Sequence, residues 1–209
     1  MYYHGISLLL EGELHLAKLP AKLDRILDVG TGTGIWAIDM ADQHPEATVI
    51  GVDLSPIQPS WCALPHHPWP RALIPHPRIT PNCIFEVDDI EQPWLWEEKF
   101  DFIHSANLAQ GIRDWPLYVR RIFENLTPGG VVQFHEAQVQ FLSDDDTIPK
   151  GGYIEQWQSN FGKAAAVAGL QEVTDKLETC AEDAGFEGIR VVVKKFPVGP
   201  WAKNPKMKV

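Results

Sequence analysis

The chain has 209 residues, 44% hydrophobic and 22% charged, a composition that excludes disordered and fibrous proteins. Its formal net charge of -10 argues against a basic phosphate-binding surface, so no direct nucleic-acid partner is expected. Three widely spaced cysteines, an odd number, predict neither a disulfide framework nor a metal site.

The first predicted element is a helix over residues 2–19, where apolar side chains fall loosely at helical spacing before Pro20. The apolar run at 6–10 is too short to cross a bilayer, because Glu11 and Glu13 interrupt it, and no basic segment precedes it. We therefore expect no membrane partner and an intracellular protein of the cytoplasm or nucleus.

Short apolar segments then alternate with helical patterns. Strands are predicted at 25–30, 48–53, 83–87, 100–104 and 131–135, with helices at 35–43 and 115–126 and a turn at 127–130. This alternation predicts an α/β fold, doubly wound around a mostly parallel sheet, in a single domain over 1–209.

Two stretches depart from the alternation. Residues 61–81 hold six prolines without a period, which predicts a long irregular loop or a partly disordered segment. After an acidic loop at 143–146, a long helix is predicted at 153–184, ended by Gly185, and a sixth strand at 189–196. No seventh apolar strand follows, so the sheet is expected to lack a closing C-terminal strand.

The candidate binding segment is the turn that joins the first strand to the next helix, with Gly30, Gly32 and Gly34 at alternate positions. Glycines let a ligand approach the backbone, and the free N–H groups of a helix N-terminus meet its polar atoms. Asp53, at the end of the second strand, can accept both hydroxyls of a ribose. The frame Gly32-x-Gly34-x-x-Ala37 also satisfies a dinucleotide fingerprint, so an NAD-dependent dehydrogenase stays an alternative.

The wider motif order distinguishes the two cofactors. The chain resembles the class I (Rossmann-like) methyltransferases through five motifs in order, which are Asp28-x-Gly30-x-Gly32-x-Gly34, Asp53, Asp88-Asp89-Ile90, Phe100-Asp101-Phe102-Ile103-His104 and Leu126-Thr127-Pro128-Gly129-Gly130. More narrowly, the segments 27–37, 51–59 and 85–94 resemble the fungal LaeA-like methyltransferases.

This resemblance implies S-adenosylmethionine as the cofactor and a methyl acceptor that is a small molecule or a protein. It also implies a role in fungal secondary metabolism or in its regulation, with a regulatory protein as a further partner. The glycine turn would hold the methionine part of the cofactor and Asp53 its ribose, while Asp89 and Ile90 would border the adenine. The implied cofactor-binding set is Asp28, Gly30, Thr31, Gly32, Gly34, Asp53, Leu54, Asp88, Asp89, Ile90 and Ser105.

Methyl transfer mainly requires that donor and acceptor be positioned, so a general base is optional. If the acceptor carries a proton, His104, His135 or Glu136 could take it, because these residues lie at strand carboxyl ends where the acceptor should bind. A buried histidine is more often structural. Metal binding is not expected.

The chain also departs from the family. Residues 62–80 form an insertion, for which a retained intron is one hypothesis, and Ala106 replaces the usual arginine. The family continues beyond residue 209 with a closing strand, so a truncated form is a further hypothesis. These departures keep open a non-catalytic cofactor-binding protein as the second function.

Overall fold

The computed structural model describes residues 2–58, 80–138, 140–145, 147–170 and 172–197, with only the backbone of 2–5. Within these ranges one sheet has five strands in the order β3-β2-β1-β4-β5. The strands are β1 (Arg25–Val29), β2 (Thr48–Asp53), β3 (Cys83–Val87), β4 (Phe100–Ala106) and β5 (Leu126–His135). β1 pairs in parallel with β2 and with β4, and β2 pairs in parallel with β3.

The helices are α1 (Tyr2–Leu9), α2 (Ile35–Gln43), α3 (Trp115–Asn125), α4 (Tyr153–Val167) and α5 (Leu177–Ala184). α2 connects β1 to β2, and α3 connects β4 to β5. Parallel strands require such crossover connections. The predicted α/β fold with a mostly parallel sheet is therefore confirmed.

The chain divides into two compact units. The first comprises the described residues of 1–105, 125–133 and 190–209, and the second comprises those of 106–124 and 134–189. The expectation of one domain over the whole chain stays a prediction.

The core of the first unit is built on the central strands. Ile26, Leu27 and Val29 of β1 are fully buried, and so are Val49 and Val52 of β2. Strands covered on both faces bury every side chain, which explains why these segments are continuously apolar. Polar side chains on the same strands are therefore exceptional, and they mark the site described below.

The predicted N-terminal helix is too long, because α1 ends at Leu9 rather than at residue 19. Glu11 and Gly12 have φ of 59° and 93°, which end the helix. The N–H groups of Leu16 and Ala17 then donate to the Gln133 side-chain oxygen, at 2.7 Å each. A long-range contact has thus replaced the helical hydrogen bonds that local spacing predicted.

The predicted helix 153–184 is also wrong in length, since it is two helices, α4 and α5. Gly169 has φ of 76°, and its N–H donates to the Ala166 carbonyl, while the N–H of Leu170 donates to the Ala165 carbonyl. This arrangement ends a helix at a left-handed glycine.

The predicted sixth strand at 189–196 does not form. Val191 and Val193 are 60% and 86% exposed. Alternating apolar residues favour a strand only where a neighbouring strand supplies hydrogen bonds, and this segment has none in the described sheet. The fifth strand, by contrast, begins at Leu126, earlier than predicted, and includes the predicted 127–130 turn.

Several predictions concern residues that the structure does not describe. Residues 59–79 include all of the proposed insertion except Thr80, together with Cys62. Cys83 and Cys180 are buried and free. Among the described residues, no helix is both long and apolar enough to cross a membrane.

Candidate functional site

The glycine turn lies between the end of β1 and the start of α2, at the carboxyl edge of the sheet. Gly30, Gly32 and Gly34 have φ of 71°, 55° and 78°, which other residues rarely adopt. The N–H groups of Gly30 and Thr31 donate to the Val52 carbonyl at 2.9 and 3.0 Å, and Gly34 N–H donates to the Thr31 carbonyl. The turn is therefore fixed against β2 by the chain itself.

The space left by two glycines is filled by Phe85 of β3. A Cβ atom on Gly34 would lie 2.5 Å from Phe85 Cζ, and one on Gly51 would lie 2.8 Å from Phe85 Cδ1. Gly34 and Gly51 thus allow the aromatic ring to pack beneath the turn. Sequence reasoning missed Phe85, because only the fold brings β3 next to β2.

Asp53, which ends β2, binds the tip of the glycine turn. Its Oδ2 accepts a hydrogen bond from Gly32 N–H at 2.8 Å, and its Oδ1 accepts one from Ser55 N–H at 2.9 Å. The Gln58 amide nitrogen donates to the carbonyls of the same two residues, at 2.8 and 2.9 Å. The Asp53 carboxylate is thus held at the turn, and its role in binding a ligand stays a prediction. Gln58 was not among the predicted site residues.

The second acidic loop follows β3 and lies beside the first. Asp88 N–H donates to the Asp53 carbonyl at 3.2 Å, and the Asp88 side chain is exposed. Asp89 is half-buried, and its Oδ1 accepts from Glu91 N–H at 3.0 Å. The structure therefore brings Asp53, Asp88 and Asp89 to one edge of the sheet, although the Asp89 carboxylate also caps its own turn.

Two apolar residues accompany these acids. Leu54 follows Asp53 directly and is 71% exposed, which is unusual for leucine. Ile90 is half-buried, and its carbonyl accepts from the Trp94 indole N–H at 3.0 Å. An exposed leucine beside a carboxylate is available for an apolar part of a ligand.

Asp28 and His104 lie beneath the turn rather than on its surface. The Asp28 side chain is 3% exposed and that of His104 4% exposed, and Asp28 Oδ1 lies 2.7 Å from His104 Nδ1. Asp28 Oδ2 accepts from the Thr31 hydroxyl at 2.6 Å. The His104 ring stacks on Trp36, with centroids 3.9 Å apart, and Ser105 is fully buried.

This placement favours a supporting role for both residues over contact with a ligand. Both carboxylate oxygens of Asp28 are used within the chain, and its side chain is almost fully buried, whereas that of Asp53 is only half-buried. A buried charge requires such partners, and the pair links β1 to β4 through the register Asp28↔His104. Trp36 of α2 is 6% exposed, and its indole N–H donates to the Leu14 carbonyl at 2.9 Å.

His135 and Glu136 belong to the second unit. The His135 carbonyl accepts from Asn107 N–H at 2.9 Å. Glu136 accepts from the N–H groups of Leu108 and Ala109 at 3.0 and 2.9 Å. Burial raises the pKa of Glu136 to about 7, against the opposing effect of those two hydrogen bonds. Both residues stay candidate bases. No cluster suited to a metal ion exists among the described side chains.

The fold and site together define a class of protein. A β3-β2-β1-β4-β5 sheet with a glycine turn after β1 and a carboxylate after β2 is an α/β cofactor-binding arrangement, with the ligand expected at the carboxyl edge of the strands. The chain belongs to the Methyltransferase domain family, whose profile matches residues 4–191. The resemblance stated from the motifs is confirmed.

Curated relatives support the narrower fungal resemblance. The chain is 35% identical over its whole length to "Methyltransferase pytC" of Aspergillus terreus, of which it covers 60%. It is 36% identical over 86% of its length to "Secondary metabolism regulator laeA" of Aspergillus flavus, covering 45% of that protein. "Protein-methionine methyltransferase laeA" of Emericella nidulans is 35% identical over 86% of this chain and is covered to 44%. The chain thus spans about half of these relatives' length.

Solved structures agree on the fold. Phosphoethanolamine N-methyltransferase 2 of Haemonchus contortus superposes with a TM-score of 0.53 at 20% identity, over 88% of this chain and 37% of that one. At this identity the likeness shows the fold alone. The chain therefore has the Rossmann-like methyltransferase fold.

Proposed function

We propose that this chain binds S-adenosylmethionine at the glycine turn and is the methyl-transferring part of a methyltransferase. The observation that carries the proposal is the fixed contact between Gly32 of the turn and the Asp53 carboxylate. In this role the turn receives the methionine part and Asp53 accepts the ribose hydroxyls. Leu54 and Ile90 contact the adenine, next to Asp88 and Asp89.

Charge supports this cofactor over NAD. S-adenosylmethionine carries a sulfonium and an ammonium group, whereas NAD carries an anionic pyrophosphate. The N–H groups of Gly30, Thr31 and Gly32 already donate within the chain, so they are not offered to a pyrophosphate. A ribose-binding carboxylate such as Asp53 is common to both cofactors, but the exposed carboxylate of Asp88 beside it repels an anionic group and attracts a cationic one.

The chemistry requires positioning more than proton transfer. S-adenosylmethionine, when bound, supplies a methyl group that is already activated for in-line displacement. The chain holds the glycine turn, the Asp53 carboxylate and the adenine-contacting residues in fixed positions. The binding site is therefore ordered before the cofactor binds, which lowers the entropic cost of orienting the methyl donor. Asp28, Thr31 and His104 support the turn from the core.

The acceptor is a small molecule or a protein, in or regulating fungal secondary metabolism. The name "Protein-methionine methyltransferase laeA" of one relative supports a protein acceptor, and the name "Secondary metabolism regulator laeA" of another supports a role in regulation. If a proton must leave the acceptor, His104, His135 and Glu136 stay candidate bases, and the pKa of Glu136, about 7, lies in the range of a general base near neutral pH.

A second candidate is a regulatory protein that binds the cofactor without catalysis. The relatives named as regulators favour it. The two candidates are separated by S-adenosylhomocysteine production with extracts containing candidate acceptors. Turnover above that of a boiled sample supports the enzyme, whereas cofactor binding without turnover supports the regulator.

The cofactor assignment is tested by calorimetric titration with S-adenosylmethionine, S-adenosylhomocysteine and NAD. We expect the first two to bind and NAD not to bind. Asp53→Ala should weaken binding by about 1 to 3 kcal/mol, because the ribose hydroxyls lose their acceptor.

Asp24→Ala serves as the matched control, because Asp24 is an exposed aspartate that pairs with Lys22. Its affinity should equal that of the unmodified chain. Absence of S-adenosylmethionine binding at millimolar concentration would refute the proposed function, and unchanged affinity in Asp53→Ala would refute the role of that carboxylate.

A further inference from the structure

Gln58 connects the two loops that form the proposed cofactor site. Its side-chain nitrogen uses both hydrogens, one for the Gly32 carbonyl at 2.8 Å and one for the Ser55 carbonyl at 2.9 Å. The Asp53 carboxylate accepts the N–H groups of the same Gly32 and Ser55. The side chains of Asp53 and Gln58 therefore form hydrogen bonds with the N–H and the carbonyl of both Gly32 and Ser55.

This network of four hydrogen bonds holds Gly32, the tip of the glycine turn, in place. Gly32 has φ of 55°, and a Cβ atom on it would approach no atom closer than 4.0 Å, so packing does not hold it in place. Gly30 and Gly34 are fixed by backbone hydrogen bonds, whereas the partners of Gly32 among the described residues are the side chains of Asp53, at the end of β2, and Gln58, in the loop that follows. Its position therefore depends on Asp53 and Gln58 together.

We propose that Gln58 is a positioning residue of the cofactor site, which holds the Gly32 tip and the Asp53 carboxylate in the arrangement that the cofactor binds. The inference rests on the proposed function. Gln58 acts through Gly32 and Asp53, and it replaces an ordering step that would otherwise accompany binding.

Stability and affinity should separate in variants of Gln58. The side chain is half-buried in a surface loop, where one residue's hydrogen bonds contribute little to unfolding. The turn geometry, by contrast, enters the affinity directly. A role in folding alone would change both quantities, or stability only.

The test uses two variants. Gln58→Met keeps the length of the side chain and removes its N–H donors. Gln58→Glu replaces the amide nitrogen with an oxygen, which faces the Gly32 and Ser55 carbonyls. Gln43→Met is the matched control, because Gln43 is an exposed glutamine at the end of α2. Affinity for S-adenosylhomocysteine is measured by calorimetry, and stability by thermal unfolding. Hydrogen exchange at the Gly32 and Ser55 amides is followed by NMR of the free chain.

We expect roughly tenfold weaker binding in Gln58→Met, because binding must then order the Gly32 tip, with little change in melting temperature. Exchange at the Gly32 and Ser55 amides should accelerate. The double variant with Asp53→Ala should lose less than the sum of the single losses, because both act on one network. If Gln58→Met unfolds, Gln58→Glu must show the same weakened binding.

Affinity within twofold of the control, with unchanged amide exchange, would overturn the role of Gln58 while leaving the proposed function intact. If the unmodified chain binds no S-adenosylhomocysteine, the proposed function fails. The exchange of the Gly32 amide then still decides whether Gln58 orders the turn.

Discussion

At the scale of single residues, buried acids have different surroundings in the two units. Asp28 is enclosed by the Thr31 hydroxyl and the His104 ring, so its carboxylate has local partners for both oxygens. Glu136 has two backbone N–H partners, yet burial raises its pKa to about 7. The charge state of Glu136 therefore changes near neutral pH.

The raised pKa of Glu136 predicts a pH-dependent stability. The folded chain binds this proton more tightly than the unfolded chain, whose glutamate has a pKa of 4.5. Its stabilising contribution is thus complete below pH 4.5 and is lost as the pH rises to about 7, on the order of 3 kcal/mol in all. Denaturant unfolding of the unmodified chain and of Glu136→Gln, at pH 4.5 and pH 8, measures the difference.

Glu136→Gln should lack this component, so the stability gap between the two chains should change across that interval in favour of the variant at high pH. Glu187→Gln, at an exposed glutamate, is the matched control. A gap that is constant with pH would show that Glu136 does not titrate near 7.

At the scale of elements, the proposed cofactor site forms where β1, α2, β2 and β3 meet. The glycine turn lies over β2, the Phe85 ring of β3 packs against Gly34 and Gly51, and Asp88 N–H bonds to the Asp53 carbonyl. Each element therefore fixes the next. A change in the packing beneath the turn should alter both the stability of the sheet and the geometry of the site.

Gly51→Ala tests this packing. The new Cβ would lie 2.7 Å from Thr31 Oγ1 and 2.8 Å from Phe85 Cδ1, so the neighbours must move. We expect a loss of about 1 to 3 kcal/mol in unfolding free energy, as for overpacked cores. Adding Phe85→Leu should recover part of the loss, measured by denaturant unfolding.

Gly162→Ala is the matched control, because Gly162 lies inside α4 with no atom within 4 Å of a new Cβ. Alanine is the better helix former by up to about 1 kcal/mol, so this variant should be stabilised. Equal stability of Gly51→Ala and the unmodified chain would contradict the packing described for Phe85.

At the scale of the whole molecule, the family and the net charge both favour S-adenosylmethionine as the cofactor. The Methyltransferase domain profile covers residues 4–191, and the net charge of -10 suits a cationic cofactor better than an anionic one. The chain spans 60% of the length of its relative pytC. Because the chain contains the family domain but not the full length of this relative, cofactor binding is the property that can be tested most directly with it.

Binding to the folded chain alone must raise its thermal stability. At a hundred times the dissociation constant, a ligand adds about 2.7 kcal/mol, which corresponds to roughly 5 to 10 °C for a chain of this size. We expect this shift with S-adenosylhomocysteine and none with NAD, measured by scanning calorimetry. A shift with NAD alone would favour the dehydrogenase alternative.

The sequence alone determined the five strands of the sheet, the glycine turn and the acids after β2 and β3, because each depends on local spacing: apolar runs for buried strands, glycine for positive φ, and acids at strand ends. The same spacing also predicted a sixth strand, which does not form because no strand of the described sheet pairs with it. Tertiary structure decided the rest. Leu16 and Ala17 were predicted to be helical, but their N–H groups donate to the side chain of Gln133, over a hundred residues away in the sequence. Asp28 and His104 were expected at a ligand and a substrate, yet the pairing of β1 with β4 buries them against each other. Phe85 and Gln58 gained their roles only where separate segments meet, which no local pattern records.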